Sequence, residues 1–108
     1  MGIDRVVITV MSGADDGKVF DLDRTPIMVG RHEDDDVSLP YDTRTSRHHA
    51  RITREGKAYF IEDVGPEGKG STNGTYINDI SQKITGKTSI SSGDMLIVGS
   101  VWVRFEAK

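Results

Sequence analysis

At 108 residues, with 35% apolar and 29% charged side chains, the chain has the size and composition of one globular unit with a single core. Its net charge of −3 argues against a general nucleic-acid binder, which carries a basic surplus. The absence of cysteine excludes disulfides and thiolate metal sites and fits a reducing compartment. Met1-Gly2-Ile3-Asp4-Arg5 lacks the basic cluster and apolar run of a secretion signal, and no apolar stretch has membrane-spanning length. The expectation is one cytoplasmic domain over residues 1–108, with neither membrane nor nucleic acid as a partner.

The apolar pattern is that of strands almost throughout. Val6–Met11 is short and β-branched and stops at Ser12-Gly13. Asp16-Gly17 is a hairpin dipeptide, after which Lys18–Leu22 alternates. Pro26–Val29 makes a third strand ending at Gly30-Arg31. Ala50–Arg54 and Ala58–Glu62 flank a turn at Glu55-Gly56-Lys57, and Thr75–Ile77 and Thr88–Ile90 are shorter segments. Met95–Val98, a Gly99-Ser100 turn and Val101–Phe105 close the chain. No window carries a capped helical stripe, so the fold class is an all-β sandwich. Its core takes either Val103 and Phe105 with Ile97, or the opposite set with Trp102, according to register. Two connections, His32 to Ser46 and Gly65 to Gly74, are long and polar, which is where binding residues sit on a rigid sandwich.

Those connections hold three stretches able to bond an anion: Gly30-Arg31, Ser46-Arg47-His48-His49-Ala50 and Ser71-Thr72-Asn73-Gly74-Thr75. Arginine offers a planar fork of donors that stays charged, serine and threonine add neutral donors, and asparagine can both donate to and accept from a peptide backbone. Gly74 lets the chain turn sharply enough for Asn73 to project. Each signal alone is weak, since Gly-Arg and Asn-Gly are common at strand ends and turns. Their order and spacing together are far more specific.

With Thr75-Tyr76-Ile77-Asn78 and the later Ser92-Gly93-Asp94-Met95 added, the pattern resembles the forkhead-associated (FHA) domains from Val6 to Phe105. The resemblance implies a β-sandwich of about eleven strands in two sheets, with loops at one end that bind a phosphothreonine peptide. By it, Arg31 and Ser46 bond the phosphate and Arg47 adds charge. Thr72 gives a hydroxyl or backbone contact, and Asn73 holds the peptide backbone. Arg44 is placed to sense a residue C-terminal to the phosphothreonine, with an acidic one preferred. Gly30, His49 and Gly74 are structural supports. The implied role is a non-enzymatic adaptor in Ser/Thr kinase signalling, without cofactor, whose partner is a phosphothreonine protein such as a kinase or its substrate. The same sandwich used as a phosphate-independent interaction or oligomerisation scaffold is the alternative.

One departure stands out. The family usually runs from an aspartate directly into Gly-Ser-x-Asn-Gly-Thr, whereas Gly65-Pro66-Glu67-Gly68-Lys69 here separates Asp63-Val64 from Gly70-Ser71. The insertion is expected to lie over the binding surface and shift where Thr72 and Asn73 project, and Lys69 on it is read mainly as a mobile surface charge, with an added phosphate contact as the alternative. Other chemistries fit less well. Ser46, His49 and Asp63 suggest a hydrolase, but no nucleophile elbow accompanies them. Gly65–Ser71 lacks the spacing of a nucleotide loop. His48 and His49, adjacent at a strand start, are expected to face opposite ways rather than share a metal with His32. Asp34-Asp35-Asp36 lacks calcium-loop spacing and reads as a solvated acidic turn.

Overall fold

The computed structural model describes residues 5–108; Met1–Asp4, part of the segment considered above for a secretion signal, lie outside them. Ten strands are present among the described residues: β1 (Val6–Val10), β2 (Val19–Leu22), β3 (Ile27–Gly30), β4 (Val37–Ser38), β5 (Ala50–Glu55), β6 (Ala58–Asp63), β7 (Thr75–Ile77), β8 (Thr88–Ile90), β9 (Met95–Val98) and β10 (Val101–Ala107). They form two five-stranded sheets, ordered β2-β1-β10-β9-β7 and β4-β3-β5-β6-β8. Among the described residues no helix is long and apolar enough to cross a membrane.

The nine strands expected from the sequence are all present, and β4 is the addition. At two residues it is too short to carry a period-two pattern, and it lies inside the polar His32–Ser46 connection. It pairs in parallel with β3, Val29 opposite Val37 and Gly30 opposite Ser38, so this connection begins by hugging its own sheet.

Alternation decides the faces. On β10, Val101, Val103 and Phe105 point inward while Trp102 is only half-buried. Their cross-strand partners on β9 are Leu96, opposite Val103, and Val98, opposite Val101. Ile97 instead pairs with Trp102 and Tyr76, so it belongs to the outer face and not with Val103 as the first of the two expected registers had it. The inner faces of β1, β3, β5 and β6 add Val6, Ile8, Val10, Ile27, Val29, Ile52 and Ile61 to one apolar cluster. Tyr59 on one sheet meets Phe105 on the other edge-to-face, with ring centroids 5.3 Å apart, so an aromatic pair ties the layers together.

Two-residue turns at Gly56-Lys57 and Gly99-Ser100 keep β5–β6 and β9–β10 in tight antiparallel register. The longer connections β3–β4, β4–β5 and β6–β7 are free to specialise. Phe105→Ala is expected to cost about 3–5 kcal/mol, because its buried ring leaves a cavity between the sheets. Trp102→Ala, on the half-exposed outer face, should cost less than half of that in the same urea-denaturation experiment.

Candidate functional site

The site is built on the way β3 ends. Gly30 lies against the loop before β5: a Cβ there would come within 2.6 Å of the His48 backbone nitrogen and would overlap the Asp35 carboxylate. Only glycine allows that approach. Asp35 is 4% exposed. One of its oxygens accepts the backbone N–H of His32 at 3.0 Å and of His48 at 3.1 Å, and the other meets His48 Nδ1 at 2.6 Å. Neighbouring Asp36 accepts the Met28 N–H at 2.8 Å. The acidic run is therefore no solvated turn. Asp34 alone is exposed, while Asp35 and Asp36 hold the β3–β4 connection to the strand before it and to the β4–β5 loop.

His48 and His49 do diverge, but by a different device from strand alternation. His48 sits in the left-handed region at φ 48°, gripped by Asp35, and its ring lies 5.5 Å from that of His32. His49 turns inward and is fully buried. Its Nδ1 accepts the Ser46 backbone N–H at 3.0 Å, and its Nε2 donates to the Gly74 carbonyl at 2.8 Å. Both ring nitrogens are thus committed to backbone atoms of the β4–β5 and β6–β7 loops. The Ser46 hydroxyl is not hydrogen-bonded to this imidazole, and the Asp63 carboxylate lies 3.7 Å from Nε2, the same nitrogen that serves Gly74. His49 is a strut between loops.

Asp63, at the end of β6, organises the rest of that second loop. It accepts the Ser71 N–H at 2.5 Å, the Ser71 hydroxyl at 2.6 Å and the Thr75 hydroxyl at 2.7 Å. Burial alone would raise its carboxyl, but these donors and nearby His49 hold it below the usual carboxylate range. Ser71 Oγ in turn accepts the Gly74 N–H at 2.9 Å. Gly74, at φ 84°, takes a left-handed turn that presents its N–H to Ser71 and its carbonyl to His49.

The insertion is closed at its base by backbone hydrogen bonds. Gly65 and Val64 both donate to the His49 carbonyl, and Gly70 donates to the Val64 carbonyl at 2.7 Å, closing the excursion at its neck. Past that neck, the Thr72 N–H reaches Ser46 Oγ at 3.3 Å, and Asn73 Nδ2 donates to the Arg44 carbonyl at 2.8 Å. The two loops therefore meet edge to edge. Among the described residues Asn73 keeps its side-chain Oδ1 and one amide hydrogen uncommitted, while its backbone carbonyl accepts the Tyr76 hydroxyl.

The sequence-predicted residues converge on this seam. Arg31 N–H donates to the Ser46 carbonyl at 3.1 Å, which sets β3's end beside the β4–β5 loop. Arg31, Arg44 and Arg47 are exposed, and none has a carboxylate partner among the described residues. Arg5 and Arg51, by contrast, are paired with Asp21 and Glu62. Three guanidinium groups without carboxylate partners among the described residues thus lie on the chain segments that meet at this seam, and a planar fork of charged donors is suited to anionic oxygens. Among the described residues no group of three His, Cys, Asp or Glu side chains could hold a metal ion.

Sequence reasoning missed the supporting roles of Asp35, Asp42, Asp63 and Ser71. Asp42 accepts the Thr45 hydroxyl at 2.5 Å, the Ser100 hydroxyl at 2.6 Å and the Ser100 N–H at 3.1 Å. Burial works to raise its carboxyl, yet these bonds hold it below the ordinary value. The Asp42-x-x-Thr45 spacing was the available signal, because short polar side chains three apart form local turns.

Burial pushes the His49 imidazole below its ordinary value of 6.5, against the opposing pull of the Gly74 carbonyl and of Asp63, Asp42 and Asp35. The Ser46 N–H aimed at Nδ1 opposes protonation as well. Unfolding frees the ring to take up a proton, so stability should fall as pH is lowered through about 6.5 and be insensitive to this group above it. An NMR titration is expected to place the His49 midpoint below 6.5; a midpoint at or above that value would contradict the neutral strut.

Comparison with known proteins bears on the whole arrangement. The FHA domain profile matches residues 27–99. The oxoglutarate dehydrogenase inhibitor of Corynebacterium jeikeium is 36% identical over 99 residues, 92% of this chain and 62% of that protein. This chain thus spans about three fifths of the length of the curated relatives it matches, 62% and 63% for the two corynebacterial inhibitors. Among solved structures, an FHA domain from Chlamydia trachomatis superposes with a TM-score of 0.77 at 28% identity, covering 94% of this chain and 96% of its own. One studied for phosphothreonine-dependent FHA domain interactions gives a TM-score of 0.75 at 25% identity, covering 94% and 95%. On the matched motif, the sandwich and these likenesses, the chain belongs to the FHA domain family.

Proposed function

We propose that the chain, as a single domain over residues 1–108, binds phosphothreonine peptides and acts as a non-enzymatic adaptor in cytoplasmic Ser/Thr kinase signalling. The observation that carries this reading is the trio of exposed arginines without carboxylate partners among the described residues, Arg31, Arg44 and Arg47, whose backbone belongs to the Ser46 loop or is hydrogen-bonded to it, on two loops fixed by His49 and Asp35. A phosphothreonine brings about −1.5 to −2 charges and three strong acceptor oxygens. Arg31 and Ser46 bond the phosphate, Arg47 adds charge, and Thr72 completes the cradle from the facing loop. Asn73 clamps the peptide backbone, and Arg44 favours an acidic residue C-terminal to the phosphothreonine.

The magnitudes fit a switchable reader. Hydrogen bonds to charged groups are worth about 1.5–3 kcal/mol, against about 1 for neutral ones. Two or three of them, less the ordering costs, give a micromolar complex of about −8 kcal/mol. A plain threonine peptide forfeits most of that. Because the loops are already bonded to one another, little ordering remains to be done on binding. The Corynebacterium jeikeium relative is named an oxoglutarate dehydrogenase inhibitor, which supports a partner that is itself a protein, such as a kinase or its substrate.

Isothermal titration calorimetry tests this reading. A phosphothreonine peptide is expected to bind in the micromolar range and its unphosphorylated form at least tenfold more weakly. Arg31→Ala and Ser46→Ala should each weaken the phosphopeptide by about tenfold to a hundredfold, with the melting temperature of Arg31→Ala unchanged. Equal binding of both peptides, or indifference to Arg31→Ala, would favour a phosphate-independent scaffold instead.

A further inference from the structure

The Ser71–Gly74 loop has a second charged neighbour. A groove of about 310 Å³ runs beside it, lined by Lys69, Ser71, Gly74, Lys83 and Thr85, and not by Arg31, Ser46 or Arg47. Lys83 belongs to a small hairpin with β7: it pairs with Tyr76, and Ile84 N–H donates to the Thr75 carbonyl at 2.9 Å. Its stem packs against the loop, since a Cβ at Gly74 would lie 2.9 Å from Lys83 Cε and 3.2 Å from Tyr76 Oη. That same Tyr76 hydroxyl donates to the Asn73 carbonyl at 2.9 Å. The ammonium is therefore carried on a braced stem immediately behind Asn73, the residue proposed as the peptide's backbone clamp.

The groove brings two ammonium groups to one carboxylate. Neither Lys83 nor Lys69 has a carboxylate partner among the described residues, whereas Lys87 is paired with Glu55. The lining carboxylate, Asp63, is committed to Ser71 and Thr75. Lys69 also lines the adjoining cleft with Thr72, where exposed Glu67 is the local counter-charge. Lys83 thus carries the stronger claim, with Lys69 supporting it.

We infer that Lys83 and Lys69 form a second anion subsite, which selects phosphothreonine peptides bearing another anionic side chain where the peptide passes Asn73. The inference rests on the phosphothreonine reading and adds a specificity determinant to it. The shared chemistry is an anionic oxygen group, either an Asp or Glu carboxylate or a second phosphate. A merely structural account also exists, because an exposed lysine beside an edge strand discourages strand-to-strand association. The two accounts predict different readouts.

The test uses fluorescence anisotropy with phosphothreonine peptides in an alanine background, a single glutamate being walked through each flanking position, and phosphoserine then placed at the best one. Wild type should gain about two- to fivefold from glutamate at one or two adjacent positions, the range of an exposed ion pair, and more from phosphoserine with its larger charge. Lys83→Gln should abolish the gain and Lys69→Gln reduce it, while both leave the all-alanine phosphothreonine peptide within twofold; Lys83→Arg should retain the gain. A phosphoserine response that exceeds that of two adjacent glutamates, matched in charge, assigns the natural ligand as a second phosphate, and one that does not exceed it assigns a carboxylate. The inference is overturned by no favoured position, by a gain that survives Lys83→Gln or falls only with Arg44→Gln, or by a Lys83→Gln that raises self-association without altering peptide preference. Failure of the phosphothreonine reading has its own signature: plain and phosphorylated all-alanine peptides bind equally, and the subsite falls with it.

Discussion

One buried imidazole holds the loop end of this sandwich in place. Through Nδ1 it fixes Ser46 and through Nε2 it fixes Gly74, while the backbone carbonyl of the same residue accepts from Val64 and Gly65. Four contacts on three chain segments converge on His49, and all of them go to backbone atoms. Backbone positions are thereby set without reference to which side chains the loops display. A histidine is suited to this because its neutral ring carries one donor and one acceptor at opposite edges. A charged ring there would face the Ser46 N–H with a second donor.

Around that strut, three aspartates perform the same kind of task at different places. Asp35 binds the end of β3 to the β4–β5 loop, Asp42 binds that loop to the β9–β10 turn, and Asp63 shapes the β6–β7 loop. Each satisfies several donors at once, as a carboxylate can, with up to four lone-pair sites. The consequence is a division of charge. Asp35, Asp42 and Asp63 are turned onto hydroxyl and amide donors, and Arg31, Arg44 and Arg47 are left exposed without carboxylate partners among the described residues. Three guanidinium groups thus lie exposed at the loop end of a chain of net charge −3.

Much of this was legible in the sequence, and the remainder was hidden for physical reasons. The nine longer strands follow from alternation and turn chemistry, and Arg31, Ser46, Arg47, Thr72 and Asn73 follow from motif spacing. β4 was invisible because two residues cannot show a period. Ile97 sat within an unbroken apolar run, Met95–Val98, where alternation gives no direction, so only the cross-strand register could assign it to the outer face. The Asp34–Asp36 run misled for a different reason: composition marks it as solvated, while its structural value lies in donors supplied by His32, His48 and Met28. Lys83 carried no motif at all, and its significance arises only where the β7 hairpin lays it behind Gly74.

The neck that closes the Gly65–Lys69 excursion ties its two ends together before the chain reaches Thr72 and Asn73. Lengthening a loop whose ends are already fixed costs only about 0.6 kcal/mol for each doubling. With Val64 and Gly70 bonded to each other and Ser71 seized by Asp63, residues can be added or removed outside the neck while the recognition edge stays at its station. The segment is thus a place where this chain can vary its outer surface, in charge or in reach, without disturbing the residues beneath it.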